Sequence, residues 1–242
     1  MQWSWPVFRE YLLDGTLIDG AKITLELTVV AQLLGILLGV LAALGKTSRL
    51  IPFRIVAELY IWLFRGTPVL VQILIWYNAL PPSVPEFTTG FIALGLNEGA
   101  YMAEIVRAGL EAVDKGQTEA AQSLGMRYGN IMRRIVLPQA MRVIIPPTGN
   151  EFISMLKTTS LVSTISLGEL LMKSQNIYNC TGCDGANWIL PLLAIAALYY
   201  LVLSTVFTFV QMYIESRLGD RRAQGPGWFR TLMSRGRLLF IS

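Results

Sequence analysis

The stretch that decides the architecture of this chain is residues 119–138, EAAQSLGMRYGNIMRRIVLP. Its first part has apolar residues at helical spacing, and Gly125 follows where a helix end favours a residue that tolerates a positive φ. The part after the glycine predicts an amphipathic helix. The apolar face of this helix consists of Tyr128, Ile131, Met132 and Ile135. The basic residues beside that face are Arg127, Arg133 and Arg134. Pro138 is expected to stop or redirect the chain, which leaves a helical hairpin with one apolar face for docking.

The composition is that of an integral membrane protein. Of 242 residues, 53% are hydrophobic and 15% are charged, against roughly a quarter charged in soluble domains. Long weakly charged runs alternate with short basic segments, as expected for membrane crossings joined by loops. The first 19 residues carry four charges and no apolar core, so we expect the first crossing, and not a signal peptide, to direct insertion. The net charge of +4 does not indicate a nucleic-acid partner, because Lys and Arg residues in a membrane protein mainly determine its orientation in the bilayer.

Five apolar segments are long enough to cross a bilayer, at roughly 20 residues per crossing. They are residues 23–44, 55–80, 87–113, 144–172 and 188–214. Together they define a predicted all-α membrane domain at residues 21–217. Residues 1–20 form a segment before it, and residues 218–242 form a basic tail after it.

The Lys and Arg residues are concentrated in alternate connections between these segments. Residues 45–54, the 114–143 connection and the 218–242 tail are rich in them, whereas residues 81–86 and 174–187 contain none. Because cytoplasmic loops of membrane proteins are enriched in Lys and Arg, this distribution predicts an outer N-terminus, a cytoplasmic C-terminus and five crossings. The opening stretch then lies on the cytoplasmic side.

No set of residues in the sequence indicates an enzyme or a metal site. The sequence has no histidine, and the run GVLAALGKT at 39–47 has five residues between its glycines where a phosphate-binding P-loop has four. We therefore expect the chain itself to bind no ATP, metal or other cofactor. Cys180 and Cys183 lie in a predicted outer loop, where a tight disulfide and two free thiols are the open alternatives.

Polar residues within the predicted crossings are candidates for a substrate path, because placing them in lipid is costly. The fourth segment carries a polar stripe within an arc of about 120° of a helix. Its members are Asn150, Glu151, Ser154, Lys157 and Thr158. Either the stripe lines a path for a polar solute, or it serves a Glu151–Lys157 pair or hydrogen bonds between helices.

The third segment has a second polar face. It consists of Asn97, Tyr101 and Glu104, with Glu98 at its margin. Glu104 and Arg107 are three residues apart on a helix and are expected to pair. Glu98 has no local partner, so it is either a substrate ligand or paired across helices with Arg65 or Lys157.

The run FRGTP at residues 64–68 predicts an interruption in the second segment. Pro68 removes a backbone donor and crowds the preceding turn. A broken helix at membrane depth persists only where protein or water groups satisfy the freed backbone. Arg65 and Thr67 therefore join the candidates for the substrate path, with a simple proline kink as the alternative.

The spacing of the opening stretch resembles the EAA loop of permease subunits in ATP-binding-cassette importers. In that pattern EAA is followed by three residues, a glycine, nine residues and Ile-x-Leu-Pro, and every position is met here. The resemblance implies docking on an ATPase subunit, whose closure the loop transmits to the membrane helices. By this resemblance, the residues expected to couple the chain to the ATPase are Glu119, Ala120, Ala121, Gly125 and Pro138. An ordinary amphipathic surface hairpin is the alternative.

Other stretches resemble the polar amino acid permeases, which serve histidine, arginine, glutamine and glutamate importers. They are FRGTP at 64–68 with Val71-Gln72, residues 101–107, Gly116-Gln117 and KTTSL at 157–161. The resemblance covers roughly residues 15–217. It implies a type I importer permease with about five membrane helices in the bacterial inner membrane, which provides the passage while ATP is hydrolysed elsewhere.

The same resemblance implies partners and ligand roles. The partners are two ATPase subunits that hold ATP and Mg, a second permease (identical or homologous), and a periplasmic or lipid-anchored amino-acid-binding protein. Glu98 and Glu151 would receive an ammonium group or a cationic side chain, and Arg65, Thr67 or Thr158 the α-carboxylate. The alternatives are an ion-gradient-driven secondary transporter or channel, which the lack of an inverted repeat argues against, and a scaffold without transport activity. A third alternative is an importer of this kind for a different solute such as a metal or a sugar, which the amino-acid-permease-like stretches argue against.

Overall fold

The computed structural model describes residues 3–179 and 185–218, and every regular element among them is helical. The expected all-α architecture is therefore confirmed. The helices are α1 (Trp5–Tyr11), α2 (Gly15–Lys46), α3 (Ile51–Gly66), α4 (Val69–Ala79), α5 (Glu86–Glu111), α6 (Lys115–Ser123), α7 (Tyr128–Ile131), α8 (Leu137–Thr158), α9 (Leu170–Tyr178) and α10 (Gly185–Arg217). A π-helical turn, Met132–Val136, joins α7 to α8, and a 3-10 segment, Thr159–Ile165, follows α8. Cys180, Cys183 and the predicted basic tail beyond residue 218 lie outside the described residues.

Two of the described helices are long and apolar enough to cross a membrane by themselves. These are α2 and, within α10, residues Trp188–Arg217. A third candidate is the pair α3 and α4, which are bent by 108° at the break between them. With 26 and 22 residues, α5 and α8 also have the length of a crossing, although they are more polar. Five crossings and the orientation of the termini stay predictions.

Helix α2 is the element around which the others pack. Its 32 residues correspond to about 48 Å of helix, and they contribute to three buried clusters in turn. Leu17 packs with α1, α9 and α10 at one end, and Ala43 packs with α5, α8 and the opening stretch at the other. Leu27 and Ala31 belong to the central cluster between them. Helix α2 thus contributes to buried clusters at both of its ends and at its centre.

The contact between α2 and α5 depends on glycine. A Cβ atom on Gly35 would overlap the side chain of Glu98, and one on Gly39 would overlap Met102. Small residues let two helix backbones approach closely, which is how membrane helices gain packing energy in the absence of water. This close approach brings the polar face of α5 against α2.

The predicted fourth crossing at residues 144–172 is not one helix. Helix α8 ends at Thr158, and the 3-10 segment Thr159–Ile165 is followed by Ser166, whose φ of 63° is left-handed. Hydroxyl groups in this segment donate to carbonyls three residues earlier and so compete with the α-helical pattern. These donors are Thr159, Ser160, Ser163 and Thr164. The chain then resumes as α9, where the buried Glu169 carboxylate accepts from the amides of Leu171 and Met172.

The expectation that Pro138 stops or redirects the chain is wrong. Pro138 lies in the first turn of α8, where its missing N–H is tolerated. The π-helical turn before it absorbs the irregularity, and the backbone stays helical from Tyr128 to Thr158. The helix also continues through Pro146 and Pro147, and the side chain of Gln211 donates to the Pro146 carbonyl at 3.0 Å.

Candidate functional site

A polar cavity of about 560 Å³ lies where the break between α3 and α4 meets α5 and α8. Its walls combine charged, hydroxyl, amide and apolar groups. They are Arg65, Gly66, Thr67, Pro68, Val69, Leu94, Asn97, Glu98, Tyr101, Glu151, Ser154, Met155 and Thr158. Seven candidates for the substrate path are therefore brought together around one space: Arg65, Thr67, Asn97, Glu98, Glu151, Ser154 and Thr158.

The break at residues 67–68 is satisfied by side-chain amides. The freed carbonyl of Phe64 accepts from Gln72 Nε2 at 2.9 Å and from Asn97 Nδ2 at 3.1 Å. Gln72 Nε2 also donates to the carbonyl of Thr67 at 3.1 Å and to its Oγ1 at 2.8 Å. The expectation of a broken helix whose backbone groups find protein partners is confirmed, and the break forms one wall of the cavity.

Glu98 is the most deeply buried carboxylate of this cavity, with 4% of the residue exposed. Its Oε1 accepts a hydrogen bond from Gln32 Nε2 on α2 at 2.9 Å. Within the described ranges, no ion pair joins Glu98 to Arg65 or Lys157, so the predicted alternative of a charge pair across helices is not what the structure contains. The hydrogen-bond partner of this side chain is a neutral amide.

Arg65 and Glu151 face the cavity from opposite helices. The guanidinium of Arg65 lies 5.4 Å from the centre of the Tyr101 ring, a cation–π contact. Glu151 lines the cavity from α8 with Ser154 and is half-buried. The cavity thus offers two carboxylates and one guanidinium, a set suited to a small molecule that carries both an ammonium and a carboxylate group.

The polar stripe of α8 divides between two surroundings. Ser154, Thr158 and Glu151 line the cavity, whereas Lys157 is exposed and does not. Asn150 Oδ1 accepts from Gln211 Nε2 on α10 at 3.1 Å. At 100° per residue Lys157 lies at the margin of the stripe opposite Glu151, and this explains why one cavity cannot receive both.

The opening stretch folds as predicted around Gly125. This glycine has a φ of +76° and ends α6 in a Schellman motif, in which Met126 N donates to Ala121 O at 3.1 Å and Gly125 N to Gln122 O at 2.9 Å. Ala121 is buried in the cluster that contains Ile131, while Leu124 and Tyr128 are 83% and 68% exposed. Glu119, Ala120 and Pro138 are exposed as well.

A shallow groove of about 480 Å³ runs along the inner side of this hairpin. Helix α6 begins beside it, where Asp114 accepts from the amide of Gly116 at 2.7 Å. The lining residues are Asp114, Gly116, Gln117, Ala120, Ala121, Leu124, Met126 and Ile135. A mostly apolar groove next to exposed Leu124 and Tyr128 is a surface suited to a protein partner.

Residues 35–220 match the family model of the binding-protein-dependent transport system inner membrane component. The chain belongs to this family. It is the membrane-embedded permease subunit of an ATP-binding-cassette importer, an integral protein of the bacterial inner membrane. A permease of this family is a translocation component and not an enzyme, and nucleotide binding resides in a partner ATPase.

Several relatives of this permease have named transport systems. The arginine transport system permease protein ArgU of Corynebacterium glutamicum is 42% identical over 230 residues, which cover 88% of this chain and 71% of that protein. The arginine transport system permease protein ArtQ of Bacillus subtilis is 38% identical and covers 84% of this chain and 92% of its own length. The L-cystine transport system permease protein TcyB of the same organism is 38% identical, with 88% and 87% covered.

Solved structures share the fold of the permease. A chain in the crystal structure of an amino acid ABC transporter with histidines is 40% identical, with a TM-score of 0.80, and the match covers 90% of this chain and all of that one. A chain of the MetNI methionine ABC transporter in an inward-facing conformation matches with a TM-score of 0.68 at 18% identity, which shows the fold alone.

Sequence reasoning left two groups of site residues out of the candidate list. Gln32 on α2 and Gln72 on α4 position Glu98 and the helix break, and the signal for both was an amide side chain within an apolar segment. Tyr101 was recognised as part of a polar face but not as a residue of the path. Among the described residues, no group of three or more His, Cys, Asp or Glu side chains is arranged to hold a metal ion.

A cluster of ion pairs joins α2 to α5 near the opening stretch. Glu104 accepts from Lys46 Nζ at 2.6 Å and from Arg107 at 2.7 Å, and Arg107 also contacts Glu111 at 2.6 Å. The predicted Glu104–Arg107 pair is confirmed. Lys46, which ends α2, extends it into a link between the two helices.

Proposed function

We propose that this permease imports a polar amino acid, with a preference for cationic ones, through the cavity at the break between α3 and α4. The observation that carries the proposal is the convergence of Glu98, Glu151 and Arg65 on one space. An amino acid presents an ammonium and a carboxylate close together, and the cavity has groups of opposite charge for both. Its volume of about 560 Å³ is ample for such a solute.

The charge balance of the cavity favours a cationic substrate. Two carboxylates face a single guanidinium, and Arg65 is already engaged with the ring of Tyr101. Burying carboxylates without a counter-charge is costly at membrane depth, so a substrate with a second positive group stabilises the site most. The names of two relatives, both arginine transport permeases, agree with this preference.

We assign Glu119, Ala120, Ala121, Gly125 and Pro138 to coupling with the ATPase. The exposed side chains of Leu124 and Tyr128 and the groove between α6 and the following helix supply the apolar docking surface. Helical backbone continues from Tyr128 to Thr158, so the docking surface and the Glu151 wall of the cavity belong to one lever of about 45 Å. Closure of the ATPase would move that wall directly.

The working assembly contains more than this chain. We propose two ATPase subunits that bind ATP and Mg, a second permease that is identical or homologous, and a periplasmic or lipid-anchored binding protein for the amino acid. In the bilayer the permease makes five crossings, with its N-terminus outside and its C-terminus in the cytoplasm. This orientation places the opening stretch where the ATPase is.

The proposed substrate site is tested by removing the two carboxylates one at a time. In nanodiscs with the ATPase and the loaded binding protein, Glu98→Gln and Glu151→Gln should each weaken arginine-dependent ATP hydrolysis. A charge-assisted hydrogen bond contributes about 1.5–3 kcal/mol, so roughly tenfold to a hundredfold more arginine is needed for half-maximal stimulation. The matched control is Glu58→Gln, since this exposed carboxylate pairs with Arg54 on its own helix at 3.0 Å and does not line the cavity.

Two outcomes would contradict the proposal. Unchanged arginine dependence in both carboxylate variants would remove the cavity from the substrate path. Uptake into vesicles that stops when the proton gradient is collapsed, with ATP present, would favour transport driven by an ion gradient instead.

A further inference from the structure

Helix α1 has one face that is fixed to the protein. Val7 is buried with Leu17 and Leu192, residues of α2 and α10. The hydroxyl of Tyr199 donates to the carbonyl of Leu12 at 2.9 Å, directly after the helix. These contacts hold α1 against α2 and α10.

The opposite face of α1 carries exposed Trp5 and Arg9, and an aromatic cluster forms beside it from Trp3, Trp5 and Phe8, of which Phe8 is half-buried and also packs against the buried residues. Trp3 and Trp5 are 39% and 59% exposed, their ring centres are 5.3 Å apart, and Phe8 lies 5.4 and 6.0 Å from them. Arg9 is exposed, and across residues 3–179 and 185–218 no carboxylate lies within ion-pair distance of it. A cleft of about 450 Å³ opens between Trp5, Pro6 and Arg9.

This face lies beside the N-terminal end of α2. Helix α2 follows α1 after three residues and is long and apolar enough to span a bilayer. Tryptophan is enriched at membrane–water interfaces because its ring is apolar while its N–H needs a polar partner. An unpaired guanidinium beside such rings is complementary in charge and geometry to a phosphate group.

We propose that α1 lies in the bilayer interface at the N-terminal end of α2 and that the cleft between Trp5 and Arg9 binds the phosphate of a phospholipid headgroup. The aromatic cluster reaches the boundary between headgroups and acyl chains, and Arg9 remains at the level of the phosphates. An anionic phospholipid is preferred over a zwitterionic one, by about fivefold for one arginine at the surface. Because α1 is fixed to α2 and α10, the bound lipid sets the depth of both helices.

The placement of α1 is tested by quenching of tryptophan fluorescence in proteoliposomes with brominated lipids. The signal of α1 is the difference between the wild-type chain and the double variant Trp3→Phe/Trp5→Phe, whose substituted side chains are exposed. Bromine atoms near the headgroup should quench this signal more strongly than bromine atoms near the bilayer centre. Absence of quenching by the shallow bromines would overturn the interfacial placement.

The headgroup site is tested with trace brominated phosphatidylglycerol or phosphatidylcholine in an otherwise unlabelled bilayer. The anionic lipid should be enriched about fivefold around α1 in the wild-type chain. Arg9→Gln should abolish this enrichment, whereas Arg9→Lys should keep most of it. Equal enrichment of both lipids in the wild type, or no effect of Arg9→Gln, would overturn the site. A change of the α1 fluorescence only when loaded binding protein is added would assign this face to that protein instead.

Discussion

At the scale of single residues, the cavity depends on pairs that are distant in the sequence. Glu98 is held by Gln32, which is 66 positions away, and the two meet only because Gly35 lets α2 approach α5. A carboxylate held by an amide keeps its orientation and still lacks a counter-charge. It therefore remains available to a cationic ligand.

Gly125 is the residue whose conformation determines the shape of the coupling hairpin. Its φ is +76°, and a Cβ atom added there would meet nothing within 4 Å. A side chain at this position therefore lowers stability through strain in the left-handed backbone and not through a steric clash with neighbours. Gly125→Ala should cost about 1–2 kcal/mol and displace α6 from α7. We expect normal abundance in the membrane and a severalfold loss of substrate-stimulated ATP hydrolysis.

The matched control for this prediction is Gly129→Ala. Gly129 also has nothing within 4 Å of an added Cβ, but it lies within α7 and does not require a positive φ. It should keep full stimulation. Gly125→Pro should be more severe than Gly125→Ala, since it also removes the N–H that bonds to Gln122. Normal stimulation in the proline variant would refute the coupling role.

At the scale of elements, the break between α3 and α4 is stabilised by side-chain hydrogen bonds and is not a simple proline kink. Its bend of 108° exposes backbone carbonyls that two buried or half-buried amides, Gln72 and Asn97, satisfy. Asn97 Nδ2 also donates to Gln72 Oε1 at 3.0 Å, so the two amides support each other. The cavity wall therefore depends on a small polar network inside a membrane domain.

Gln72→Leu should destabilise the break. The carbonyl of Thr67 loses its donor and Asn97 loses an acceptor, at about 1–3 kcal/mol for a buried group left unsatisfied. The expected result is a lower midpoint of thermal unfolding for the purified permease in detergent. Asn78→Leu on the same helix is the control, since Asn78 is exposed and its side chain donates to the carbonyl of Leu74 on its own helix. Equal midpoints for the two variants would argue against a structural role of the amide.

At the scale of the whole molecule, α2 and α5 are joined at two levels. Glycine contacts bring them together near the cavity, and the ion pairs of Glu104 with Lys46 and Arg107 join them near the coupling hairpin. The side chain of Glu104 is only 18% exposed, so its pairs are less screened by water than surface pairs. This second link connects the coupling end of the molecule to the walls of the cavity.

Glu104→Gln should weaken that link. Lys46 and Arg107 would then face a neutral side chain, and we expect a loss of about 1–3 kcal/mol in stability. The measurement is the midpoint of thermal unfolding in detergent, together with ATP hydrolysis in the absence of substrate. Glu111→Gln should cost less than about 1 kcal/mol, because Glu111 is 61% exposed. A larger effect of Glu111→Gln would contradict the link.

Most of the site could be predicted from the sequence because its residues are polar or charged within segments that are otherwise apolar. Glu98 and Glu151 are ionisable residues in apolar segments, which identifies them as candidates. Pro68 predicts the break between α3 and α4. Helical periodicity places Lys157 and Glu151 on the same polar stripe. Periodicity gives only the direction of each residue around the helix axis, and the cavity faces only part of the arc that the stripe covers. Gln32 and Gln72 were missed because a single amide in an apolar run has no pattern to identify its partner.

Local patterns in the sequence were sufficient to determine the helical class, the positive φ at Gly125, the interruption before Pro68 and the Glu104–Arg107 pair. Each of these depends on residues within about one or two helical turns, which the chain presents in fixed order. The tertiary structure alone decided that Pro138 continues a helix and that the amide of Gln32 holds Glu98. Those outcomes depend on competition between local preferences and the packing of distant helices, and that packing has no signature in any single stretch of sequence.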